Sequence, residues 1–379
     1  MPNPKLVNEA ALRTALDGSR LDALIAVYPK NVFYYSGSPI AREQLLIGYL
    51  PEDPGRATLA AVVVPRDGDN VLVCCEEEGA INREEVWVEQ MRLYEAYRQS
   101  PIEAVAKVVE EKGLADGRLG VEVEYLTVNY YQELKTLLPR AQFVPSDRQF
   151  EWIRSLKTPG EIEIMKRAAD LLDDATWEAF SSARVGETEW DIHCRIIDGA
   201  LRRGAEHCRG ALWAGVTNDI NFLGTSRKVL KWGDIIHTDH AAFLQGYPGH
   251  VSRLGVMGEP TNRQRKKYAN ILAVQRRIIE FMRPGVTGQE VFWFARKACA
   301  ELGYLHTAAI LGHNLGLGYH ERPMLTEAET MTLEASNIVA LEPMIEWAFH
   351  IQDHILVEEN GARRQSDKFD TRDLFIMGV

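Results

Sequence analysis

Histidines and carboxylates, the side chains that move protons or bind metals near neutral pH, crowd into four short segments in the second half of this 379-residue chain. They are GDIIHTDHA (233–241), GYPGHVSR (246–253), GHNLGLGYHERP (312–323), and ALEP (340–343) followed by FHIQDH (349–354). Such groups gathered at one place suit general acid–base or metal-assisted attack of water on a polar bond. A relic with a purely structural job has no physical need for that many ionisable groups.

In their order and spacing these segments resemble the pita-bread metallopeptidase family, which includes aminopeptidase P, prolidase, methionine aminopeptidase and the non-peptidase creatinase. The likeness extends outside the segments. IRSLKTPGEIEIMKRA (153–168) is similar to the helix that opens the family's catalytic domain, and NVFYYSG (31–37) resembles an asparagine, aromatic and glycine turn of its N-terminal domain. The resemblance implies an α/β N-terminal domain over residues 1–155 and an α+β pita-bread catalytic domain over 156–379. It also implies a hydrolase working as a homodimer.

The departures from the family pattern are chemically specific. Family peptidases hold two divalent metals with Asp, Asp, His, Glu and Glu. Asp239, His313 and Glu342 match their counterparts, but the second aspartate position is His250 and the last glutamate corresponds to Gln352, followed by Asp353. Two dications in a partly buried site need about four carboxylates for neutrality, and Asp239 and Glu342 supply two. The resemblance therefore implies either one divalent ion, Zn²⁺, Fe²⁺ or Mn²⁺, on His250, His313 and Glu342 with Asp239 and Gln352 near, or a metal-free pocket like that of creatinase.

If 350–354 is extended, His350, Gln352 and His354 share a face and Asp353 lies on the other, which selects Gln352 over Asp353 for the site. His320 matches a histidine that contacts the scissile amide and is the first choice for catalysis, with Glu342 and His313 beside it. Its usual partner histidine falls on Phe222 or Asn221. Phe222, His350, Arg253 and Tyr35 are candidates to contact substrate; Arg253 could instead hold Asp239 and Glu342 in place. The expected reaction is hydrolysis of an amide or amidine-like C–N bond in a small molecule, without standard Xaa-Pro peptidase activity. The alternatives are an Xaa-Pro metallopeptidase and a binding protein that keeps the pocket without turnover.

Elements able to position these groups are legible in the hydrophobic pattern. Residues 21–28, 57–65, 71–75 and 118–122 read as strands and 102–112 as an amphipathic helix, an alternating α/β pattern. Beyond residue 151, helical periodicity covers 161–179, 189–203, 263–282 and 289–301, with strand patterns at 235–243, 338–342 and 350–358. Thr158 and Pro159 mark a helix start. A net charge of −11 with no basic stripe argues against nucleic acid, and no long uncharged apolar run suggests a membrane span. Five cysteines without metal-type spacing fit a reducing cytoplasm.

Overall fold

The computed structural model describes residues 5–46, 59–215, 224–306, 308–345 and 349–378, and the chain divides into two compact units, Met1–Arg154 and Ser155–Val379. The first unit is built on a six-stranded sheet in the order β4-β3-β2-β1-β5-β6. Its strands are β1 (Ala23–Ala26), β2 (Ala61–Pro65), β3 (Val71–Cys75), β4 (Gln90–Tyr94), β5 (Arg118–Val121) and β6 (Gln142–Pro145). β2 and β3 form an antiparallel hairpin, while β5 runs parallel to β1, so the sheet is mixed. Ile102, Val105 and Val109 recur at helical spacing on the helix Pro101–Glu111 and bury against Val63, Val73 and Leu119 of this sheet.

The NVFYYSG segment is a helix, Pro29–Ser36, and not a turn; only Gly37, at φ +78°, turns the chain out of it. Pro29 at the first helical position and the buried Glu122 explain the difference. Glu122 accepts hydrogen bonds from the backbone N–H groups of Val27 (2.6 Å) and Tyr28 (2.8 Å) and from the Asn31 carboxamide, anchoring the start of the helix. Burial outweighs these bonds and pushes the Glu122 pKa up to about 7. Tyr35 is 0% exposed and packs edge-on against Tyr34 and Phe150, so it is a core residue of this unit and not a substrate contact.

The second unit is α+β, with two five-stranded sheets. One has the order β18-β10-β8-β7 with β9 also on β8; the other runs β12-β11-β13-β16-β17. The strands of the first are β7 (His207–Gly215), β8 (Ile235–Leu244), β9 (Tyr247–Val251), β10 (Leu254–Met257) and β18 (Phe375–Met377). Those of the second are β11 (Ile310–Asn314), β12 (Glu321–Thr326), β13 (Ile338–Leu341), β16 (Asp353–Glu358) and β17 (Gly361–Arg364). A short hairpin, β14 (Met344–Ile345) with β15 (Phe349–His350), lies between β13 and β16.

Helices Pro159–Ser181 and Glu189–Arg202 cover the first sheet through Leu172, Phe180, Ile192 and Ile196, while Asn262–Phe281 and Gly288–Glu301 cover the second through Val274, Ile278 and Phe292. All four helices open with a threonine capping box: Thr158 with Glu161, Thr188 with Asp191, Thr261 with Gln264 and Thr287 with Glu290. Each box satisfies end N–H groups reciprocally, which fixes where each helix starts against its sheet. The sheets meet at an isolated bridge between Ser252 and Gln352, and the site lies around that junction.

Candidate active site

The pleat of β8 sends His237 and Asp239 to one face and His240 to the other, where His240 Nε2 lies 2.9 Å from His193 Nδ1. β9 runs back antiparallel with Ala241 opposite His250. The imidazole of His250 thereby meets Asp239, with Nε2 2.7 Å from Oδ1. Burial would raise the Asp239 pKa, but the hydrogen bond from His250 and the surrounding imidazoles win and hold it well below the usual carboxylate range. Asp239 is therefore an anion at pH 7.

From the other sheet, β11 supplies His313, fully buried between Met324 of β12 and Ala340 of β13. Its Nδ1 sits 3.2 Å from the Asn314 carbonyl, so Nδ1 carries the hydrogen and donates it, leaving Nε2 a bare lone pair with no hydrogen-bond partner among the described residues. Burial, then His250 and His320, push its pKa well below that of free histidine, so it stays neutral. The rings of His250 and His313 stack at 5.6 Å, and His320 stands edge-on to His313 at 4.0 Å. Partial burial and the nearby His250 lower the His320 pKa, although its side chain reaches solvent at the rim.

Glu342 follows the last residue of β13, held there by its backbone N–H bond to the Leu311 carbonyl (2.9 Å). One carboxylate oxygen lies 3.6 Å from His350 Nε2, and His350 Nδ1 is 2.6 Å from His237 Nε2. His350 thus links Glu342 to the β8 face that carries Asp239. Asp239, His250, His313, His320, Glu342 and His350 come together at one place.

Two expected site residues do different work. Gln352 is tied at both ends of its carboxamide: Oε1 accepts from Ser252 Oγ (3.3 Å) and Nε2 donates to the His250 carbonyl (3.2 Å), so its side chain is fixed at the junction of the two sheets. The extended run across 350–354 is also broken, because Ile351 and Gln352 leave the ladder between β15 and β16. Arg253, 1% exposed, pairs bidentately with Asp173 (2.7 and 3.0 Å) and with Asp353 (2.9 Å). It holds neither Asp239 nor Glu342 and cannot reach a substrate; it pins the helix Pro159–Ser181 to both sheets. Phe222 lies outside the described residues.

A metal needs donor lone pairs converging on one point; His313 Nε2 and the Glu342 carboxylate keep theirs, but other members of the expected set are engaged with one another. His250 Nε2 is already in hydrogen-bond contact with Asp239, the Gln352 oxygen accepts from Ser252, and among the described residues no group of three or more His, Cys, Asp and Glu side chains is arranged to hold an ion.

One residue was missed by sequence reasoning. The Tyr319 hydroxyl lies 2.6 Å from His250 Nε2, its ring is 4.4 Å from that imidazole, and the Arg209 guanidinium sits 4.7 Å from the ring centroid. Tyr319 falls in the loop between β11 and β12, where no periodicity applies, and its partner is 69 residues away. Only its place next to His320 in the sequence hinted at it.

Comparison with known proteins agrees with this architecture. Residues 163–359 match the model of metallopeptidase family M24, and residues 10–156 match the creatinase/prolidase N-terminal domain. The chain is 28% identical over 368 residues to the Xaa-Pro dipeptidase of Pyrococcus furiosus, covering 92% of this chain and 94% of that protein. It is also 28% identical over 255 residues to the Xaa-Pro dipeptidase of Lactobacillus helveticus, covering 65% of this chain and 68% of that one. Among solved structures, the X-Pro aminopeptidase of Thermotoga maritima superposes with a TM-score of 0.81 at 21% identity, over 98% of this chain and 99% of that one. The prolidase of Pyrococcus furiosus gives 0.73 at 24% identity, over 94% and 99%. The fold is the pita-bread fold, and the chain belongs to metallopeptidase family M24, a family of hydrolases, with a creatinase/prolidase N-terminal domain before its catalytic domain.

Proposed function

We propose that this protein hydrolyses an amide or amidine-like C–N bond in a small molecule and is not a standard Xaa-Pro peptidase. The observation that carries the reading is the His250–Asp239 contact: an imidazole bonded to the first carboxylate takes the place of a second one, beside the buried bare lone pair of His313. In this reading His313 Nε2 orients a water by accepting one of its hydrogens. Glu342 takes the water's other proton as the new C–O bond forms, His320 donates a hydrogen bond to the oxygen or nitrogen where negative charge develops, and Glu342 returns the proton to the leaving nitrogen as the C–N bond breaks. No step needs a metal. His350 holds Glu342 and contacts the substrate side of the site. We also take the protein to act as a homodimer, which light scattering would measure.

The names of the relatives, at 28% identity over most of the chain, favour a second reading as an Xaa-Pro dipeptidase. One experiment separates the two. Release of free amine is followed with Gly-Pro and Ala-Pro, with and without Mn²⁺ or Co²⁺, and with a panel of N-acyl amino acids, ureido acids and cyclic amidines. Turnover on the panel, with dipeptide cleavage at least about a hundredfold slower, is expected. Efficient dipeptide cleavage with two bound ions would sink the proposal in favour of the second reading.

A further inference from the structure

We infer that Tyr319 is a catalytic hydrogen-bond donor, its phenolic hydrogen directed to the substrate and not to the neighbouring imidazole. This deepens, and rests on, the proposed C–N hydrolysis. The argument is one of hydrogen-bond polarity. His250 Nε2 lies 2.7 Å from Asp239 Oδ1 and 2.6 Å from the Tyr319 hydroxyl. A ring nitrogen either carries one hydrogen or offers one lone pair, so it cannot donate to one neighbour while accepting from the other. A carboxylate has acceptor oxygens only. Nε2 must then carry the hydrogen, pointed at Asp239 and shared with the tyrosine oxygen, which accepts.

The state of the other ring nitrogen agrees. His250 Nδ1 is buried with no hydrogen-bond partner among the described residues, a place tolerable for a lone pair and costly for an N–H. The tyrosine oxygen is thus an acceptor toward His250, and its own hydrogen has no described recipient. It sits in the same cluster as the bare Nε2 of His313, with ring centroids 6.0 Å apart, and as His320, at 4.9 Å. The site therefore pairs a free donor with a free acceptor. An amide or amidine offers the complement: an acceptor for Tyr319, beside which a water can hydrogen-bond to His313. Tyr319 and His320 together form a two-donor hole for the charge that develops during attack. The Arg209 guanidinium, 4.7 Å from the Tyr319 ring, fixes the ring, and the His250–Asp239 pair fixes the oxygen.

Two measurements test this. In protein labelled with ¹⁵N-histidine, with His250 assigned through His250→Gln, the proposal requires Nε2 to carry hydrogen in the wild type and to keep it in Tyr319→Phe. A bare Nε2 accepting from Tyr319 overturns it, whatever the substrate proves to be. In the hydrolysis panel above, Tyr319→Phe is expected to lower kcat about a hundredfold with KM changed less than about threefold. Unchanged kcat on a substrate the wild type turns over also overturns it. If the wild type hydrolyses nothing in the panel, the C–N hydrolase reading falls, and the nitrogen assignment alone decides the polarity of Tyr319.

Discussion

His354 shows what a single buried side chain commits the protein to. Its Nε2 accepts the backbone N–H of His250 at 2.8 Å, so that nitrogen must stay unprotonated for β9 to stay tied to β16. Burial, followed by the field of His250, lowers its pKa to about 3. The unfolded chain binds this proton near pH 6.5 and the folded chain only near pH 3, so the unfolded state holds more protons in between; stability rises with pH through that window and is lost on acidification. Between pH 7 and pH 5 this one residue should remove on the order of 2 kcal/mol. His354→Gln keeps an acceptor without the titration. Urea unfolding at both pH values should therefore show the wild type losing about 2 kcal/mol more than the variant, and equal losses would refute the assignment. His313 belongs to the same scale: His313→Gln removes the bare Nε2 lone pair and should lower turnover about a hundredfold or more while leaving the thermal midpoint within a few degrees. Retained turnover would remove His313 from the mechanism.

At the scale of elements, the site depends on how closely the helix Pro159–Ser181 lies on β9. A Cβ on Gly249 would stand 2.1 Å from the Ala168 carbonyl carbon and 2.2 Å from the Ala169 nitrogen, both backbone atoms that cannot turn aside. Gly249→Ala should cost about 3 kcal/mol or more and, by pushing β9 away, shift His250 off Asp239. A urea midpoint equal to wild type would show that the helix is free to move. The same helix is pinned by Arg253 between Asp173 and Asp353. Asp173→Ala leaves a buried guanidinium short of a partner, and about 3–5 kcal/mol of destabilisation is expected in the same assay. The helix periods at 102–112, 161–179, 189–203, 263–282 and 289–301, the Thr158 start and fewer than half of the strands were readable from apolar spacing, because each of these elements shows its neighbours a continuous apolar face. The Pro29–Ser36 helix and the break at Ile351–Gln352 were not, because both depend on bonds to distant residues, Glu122 in one case and Ser252 in the other.

For the whole molecule, the balance of charge at the junction of the two sheets decides what the site can hold. Restoring the missing carboxylates in His250→Asp with Gln352→Glu should raise the number of bound divalent ions above that of the wild type, measured by calorimetry with Mn²⁺. Wild-type turnover should survive dialysis against EDTA, and its loss, with recovery on adding one equivalent of metal, would return the one-ion arrangement on His250, His313 and Glu342. Among the described residues no helix is long and apolar enough to cross a membrane. The sequence by itself determined the family, the α/β and α+β character of the two parts, and which residues occupy the altered positions, because residue order and hydrophobic period are one-dimensional properties. Only the tertiary structure decided their partners. Gln352 and Arg253 read as site groups in the sequence, yet in the fold their polar atoms are consumed by Ser252, Asp173 and Asp353. The sequence assigned Tyr319 no role, yet the fold sets its hydroxyl against His250. Hydrogen-bond satisfaction is settled by strands brought together across 69 to 100 residues of chain, and no local pattern records it.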